Sequence, residues 1–143
     1  MNLTTKLLVS VYLLAAILAL LFTWYHVPAY LGHGALQALI AFWQDAIIDT
    51  NPASKFIVVD ILFLAFVCSM WMLMEGRRLG VRFIYFYVIG GLLIAISVAF
   101  PLFMAARELR LSTAESGYRI NAYDALAMVV IFASAVAAGV LAI

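Results

Sequence analysis

Four long apolar runs, separated by short polar interruptions, dominate the chain; they cover roughly 5–25, 52–75, 81–106 and 123–143. Each is close to the ~20 predominantly apolar residues that a helix needs to cross a bilayer. None alternates apolar and polar positions in short strands, as a closed membrane barrel does. The pattern therefore predicts an all-α, polytopic membrane protein: a bundle of four transmembrane helices forming one domain over 1–143. Between the first two runs, "LQALIAFWQDAIIDT" sets Leu36, Leu39, Ile40, Trp43 and Ile47 at helical spacing, with Gln44, Asp45 and Asp49 on other faces. A short amphipathic helix over about 35–49 follows, lying at the membrane interface or folded back over the bundle. Asn51 then supplies an N-cap for the second span, and Pro52 suits its first helical position.

Composition strengthens this picture. Of 143 residues, 69% are hydrophobic and 10% charged, against about 45–50% and about 25% in soluble domains. A soluble chain this short leaves too much of its surface exposed to hide so many apolar side chains. A net charge of +1 offers no basic field for nucleic acid, so the few charges are read singly. Lys6 and the run after it resemble a secretory signal. That run is too long for one, however, and bulky "TWYH" stands where small residues would mark cleavage, so a retained first span is expected. The single cysteine, Cys68, excludes an internal disulfide.

The turn "EGRRLGVR" predicts an antiparallel pairing of spans two and three and carries Glu75, Arg77, Arg78 and Arg82. Cytoplasmic loops are rich in Lys and Arg, so this turn is expected to face the cytoplasm, and four spans then put both termini on the cytoplasmic side. This charge cluster is expected to pin the topology and to meet anionic lipid head groups. Pro101 cannot donate to the carbonyl of Ser97, so a bend is expected near "SVAFP". Ala135 and Gly139 have the spacing of a close-packing helix face, within the protein or against another subunit.

Asp60, inside "FIVVDILFLAF", is costly in hydrocarbon unless paired. A structural Asp60–Arg107 ion pair that docks spans two and three is the preferred expectation; a substrate- or proton-binding Asp60 is the sharper alternative. His26 and His33 both lie at or beyond the outer end of span one. Interfacial roles are favoured for both over metal or haem ligation, because a closed site needs further ligands. Phosphate-loop, nucleophile-elbow and zinc-peptidase motifs are absent from the sequence.

"NPASKFIVVDILFLAFVCSMWMLMEGRRLGVR" followed by "SVAFPLFMAARE" resembles an uncharacterised bacterial family of small inner-membrane proteins, a domain of unknown function. The matching positions are Asn51, Pro52, Asp60, Glu75, Gly76, Arg77, Arg78, Phe100, Pro101, Leu102, Phe103, Arg107 and Glu108. The likeness runs from span one to about Arg110, and the fourth span is an addition to it. The resemblance implies a membrane location but no activity.

Two function classes follow. The first is a non-catalytic accessory or structural subunit of a larger inner-membrane complex, of respiratory or photosynthetic type, with membrane lipids and other subunits as partners. The alternative is a small membrane enzyme or carrier for an apolar substrate (an isoprenoid, quinone or lipid) using Asp60 or Glu75. No cofactor is predicted, and a bound lipid, quinone or pigment is compatible with either class.

Overall fold

A computed structural model describes residues 3–112 and 121–142, with the side chain of His33 outside the description. The described chain is helical throughout: α1 (Leu3–Trp24), a 3-10 helix (Val27–His33), α2 (Ala35–Ile47), α3 (Pro52–Arg78), α4 (Ile84–Leu93), α5 (Ile96–Leu111) and α6 (Ala122–Ala142). Three helices, α1, α3 and α6, are long and apolar enough to cross a membrane. The expected α3 cap is present, with the Ser54 amide donating to the Asn51 side chain at 2.9 Å and Pro52 following. Asn51 thereby satisfies one of the amides that a helix start leaves unpaired. Asn121 caps α6 in the same way, accepting from the Asp124 amide at 2.8 Å.

The expected third span is where sequence and structure part. The apolar run over 81–106 is two helices, broken where Ala95 turns fully extended (φ −175°, ψ 141°). The chain then doubles back, so that α4 and α5 form an antiparallel hairpin. Gly91 faces Ile96 and Ala99 near the tip, and Tyr87 faces Phe103 nearer the base, with ring centroids 5.7 Å apart. At Gly91 a β-carbon would come within 3.0 Å of the Ile96 side chain, so glycine there lets the two arms close. The indole N–H of Trp24, at the end of α1, donates to the tip carbonyl of Ile94 at 3.4 Å. That contact supplies a partner to backbone that leaves the helical ladder, a need that hydrocarbon surroundings make acute. Helix α5 continues through Pro101, so the chain turns at Ala95 and not at the proline.

Helix α5 is the centre of the molecule. It packs along α1 and also touches α3 and α4. Phe103 and Met72 are the largest fully buried side chains, and Trp71, Ile84, Tyr87 and Phe100 surround them. Between membrane helices, dispersion packing and polar pairs do the holding, because lipid tails are as apolar as leucine. Helix α6 has no fully buried residue and leans on α1, with Gly139 against the Phe22 ring. Ten residues join α5 to α6 and reach at most ~35 Å. That is too short to bring α6 in from beyond the far end of α1, so α6 runs parallel to α1.

Candidate functional site: a charge cluster at the base of the hairpin

Helix α3 ends in "MEGRR", which carries Glu75 inward while Arg77 and Arg78 lie towards the surface. The Glu75 side chain is only 10% exposed. Its Oε2 accepts from Arg78 Nε at 2.6 Å, and its Oε1 accepts from Arg78 Nη2 at 2.7 Å and from Arg107 Nε at 2.9 Å. Arg107, on α5, also donates through Nη1 to Glu108 Oε1 at 3.0 Å. Its guanidinium stands 5.4 Å from the centre of the Trp71 ring, an attractive placement for a cation over an aromatic face. Two carboxylates and two guanidiniums thus close a neutral group at the junction of α3 and α5. Buried charge is tolerated on those terms, since each member has an opposite partner and directed hydrogen bonds.

The floor of the cluster is aromatic. Trp71 lies 5.7 Å from both Phe100 and Phe103, ring centre to ring centre. Gly76 makes room for it: a β-carbon there would stand 3.0 Å from Ile84 and 3.1 Å from Phe103. Both oxygens of Glu75 are engaged, and arginine does not give up its proton in proteins, so Glu75 is held as a carboxylate between two guanidiniums.

The expected Asp60–Arg107 pair does not form. The reversal at Ala95 carries Arg107 to the C-terminal end of α3, where Glu75 and Glu108 take it. Asp60 is 15 residues away from Glu75 along α3, about 22 Å at the helical rise. It is exposed on the outer surface of that helix and has no hydrogen-bond or ion-pair partner among the described residues. Arg77 donates through Nη2 to the Tyr85 hydroxyl at 3.0 Å, and Arg82 is exposed on the turn after α3. Gly139 does lie in a helix contact, but Ala135 is exposed; the half-buried stripe of α6 runs through Met128, Phe132 and Val136. His26 is exposed, edge-on to Tyr25, and the side chain of His33 lies outside the described residues. Among the described residues, no three His, Cys, Asp or Glu side chains are placed to hold a metal ion. The polar connection that carries Glu115, Tyr118 and Arg119 also lies outside the described residues.

Sequence reasoning missed Trp71, Phe103 and Gly76 as the setting of the cluster, and gave Glu108 no role in it. Glu75 and Arg78 are close in the sequence, and α3 running on to Arg78 makes them an i,i+3 helical pair. Arg107 lies 32 residues further on, and only the doubled-back hairpin brings it near.

No curated protein and no solved structure matches this chain. A family model described as "Protein of unknown function DUF2834" matches residues 11–109. That stretch holds most of α1, all of α2, α3 and α4 and nearly all of α5, with every member of the charge cluster, and leaves α6 outside. On that match, which covers well over half of its length, the chain belongs to the DUF2834 family.

Proposed function

We propose that this protein is a non-catalytic subunit of a larger assembly in a bacterial cytoplasmic membrane, with an outward face of α3 as one of its docking surfaces. A single observation carries the reading: Asp60 is an exposed, unpartnered carboxylate among the described residues, on a helix long and apolar enough to span hydrocarbon. Ionisable groups in membrane helices almost always face the bundle interior, water or a partner. A lipid-facing carboxylate with apolar neighbours such as Phe56, Ile57 and Phe63, all largely exposed, is satisfied when another chain brings a cation or donor to it. Glu75 already has two arginines, so the carboxylate that remains for an external partner on α3 is Asp60. In this reading three crossings with one re-entrant hairpin replace the four expected crossings. The charge cluster faces the cytoplasm, and the amphipathic α2 lies at the opposite membrane surface.

The test is purification from its native membrane in mild detergent, followed by mass determination of the intact species. Co-purifying subunits that are lost on Asp60→Asn support the proposal. A lone chain or homo-oligomer, unchanged by the same substitution, overturns it.

A further inference from the structure

We infer that the turn between α3 and α4, with the groove between α4 and α5, is a binding site for one anionic phospholipid. An apolar groove of about 220 Å³ runs between α4 and α5, lined by Phe86, Tyr87, Gly90, Ile94, Val98 and Leu102. It follows the hairpin from Phe86 to Ile94, about 12 Å at the helical rise, a length suited to part of an acyl chain. The end of the groove at Phe86 meets the turn, because the Phe86 and Phe83 rings lie 5.9 Å apart. Phe83 has left-handed backbone (φ 60°, ψ 36°), an uncommon conformation for a bulky residue. That conformation leaves Phe83 70% exposed on the turn that carries the arginines. Arg82 precedes it and has no hydrogen-bond or ion-pair partner among the described residues. Arg77 is held by the Tyr85 hydroxyl, and Arg78, though bound to Glu75, keeps a 64% exposed side chain.

Cation, aromatic ring and apolar groove therefore follow one another in the order of a phospholipid's phosphate, glycerol and acyl chain. Guanidinium groups suit phosphate oxygens through paired N–H donors, and basic residues near a membrane surface attract anionic head groups. The groove selects a lipid over free phosphate, and the arginines select an anionic head group over a zwitterionic one.

The test is native mass spectrometry of the full chain in detergent with equal amounts of phosphatidylglycerol and phosphatidylcholine of matched acyl chains. The wild type should retain one phosphatidylglycerol at least about fivefold over phosphatidylcholine, because both carry the phosphate but only phosphatidylglycerol is net negative towards the arginines. Arg77→Gln with Arg82→Gln should bring that ratio close to one. Gly90→Leu should reduce retention of both lipids, because a β-carbon at Gly90 meets only Ala99, at 3.9 Å, and the added side chain projects into the groove. Circular dichroism melting should match the wild type for both variants. Equal retention of the two lipids by the wild type, a preference that survives the double arginine variant, or undiminished retention of both lipids by Gly90→Leu overturns the site. If the double arginine variant melts early, Arg82→Gln alone takes its place, because Arg82 has no hydrogen-bond or ion-pair partner among the described residues to be lost. That substitution removes one positive charge and should lower the preference in part, and a preference left at the wild-type ratio overturns the site.

Discussion

Arg107 sits where three kinds of interaction meet: Glu75 and Glu108 accept its hydrogen bonds and Trp71 offers its ring. Its side chain is 21% exposed and that of Glu75 is 10% exposed, so solvent screening relieves little of the cost of separating them. Removing one partner of a buried ion pair costs up to about 3–5 kcal/mol when the other charge is left unpaired; here Glu108 still holds Arg107 and Arg78 still holds Glu75, so the loss is smaller. Glu75→Gln should still lower the detergent melting temperature. Combined with Arg107→Gln it should lose less than the two single effects together, because the hydrogen-bonded contact between the two is counted in both single variants. The matching cycle of Asp60→Asn with Arg107→Gln should be additive. Strong coupling between positions 60 and 107, or additive behaviour at 75 and 107, would place the arginine elsewhere. At this scale the sequence reveals which residues carry charge and that Glu75 and Arg78 are close, but reading "EGRRLGVR" as a turn leaves their helical i,i+3 pairing to the structure, where α3 runs on to Arg78. It conceals the long-range partner, since that depends on a chain reversal with no local mark.

Among the elements, α1, α3 and α6 declare themselves by length and hydropathy, and α2 by its helical spacing. The hairpin of α4 and α5 does not. Between Gly91 and Pro101 the chain reads "LLIAISVAF", with no breaker, and periodicity cannot separate one long buried helix from two short ones. What favours two is tertiary: Gly76 and Gly91 permit close approach, Phe103 fills the resulting core, and the buried Glu75 gains a second cation. Gly76→Ala should consequently cost about 1–3 kcal/mol, the usual range for overpacking, because the new methyl group meets both Ile84 and Phe103. Gly90→Ala should be close to neutral, with only Ala99 at contact distance. Gly139→Ala should loosen α6 from α1 by displacing Phe22 while leaving the hairpin intact. Limited proteolysis of the α5–α6 connection and thermal melting together distinguish these outcomes. Equal melting for the Gly76 and Gly90 variants would argue against the tight hairpin base.

For the molecule as a whole, the hairpin redistributes charge between its two ends. A straight third span would carry Arg107 and Arg110 to the side opposite Arg77, Arg78 and Arg82, and the basic residues would be divided. With the chain doubled back, Lys6, Arg77, Arg78, Arg82, Arg107 and Arg110 all belong to the end where α1 begins. The other end holds Lys55 with Asp45 and Asp49. Cytoplasmic loops carry the excess of Lys and Arg in membrane proteins, and that asymmetry is the support for the proposed orientation, with the basic end inside. In that orientation α1 leaves the cytoplasm, α3 returns, the hairpin enters and withdraws, and α6 leaves again, so the two termini stand on opposite faces. The proposal thereby departs from the expectation of two cytoplasmic termini, and it depends on the reversal at Ala95, because a full crossing there would return the C-terminus inside. A phosphatase reporter active only outside the cytoplasm should work when fused after Ile143 and fail when fused before Met1. A fluorescent reporter that matures only inside should show the reverse. If the C-terminal fusion fluoresces and its phosphatase counterpart is silent, the segment over 81–106 crosses the membrane and the re-entrant hairpin is not its membrane form.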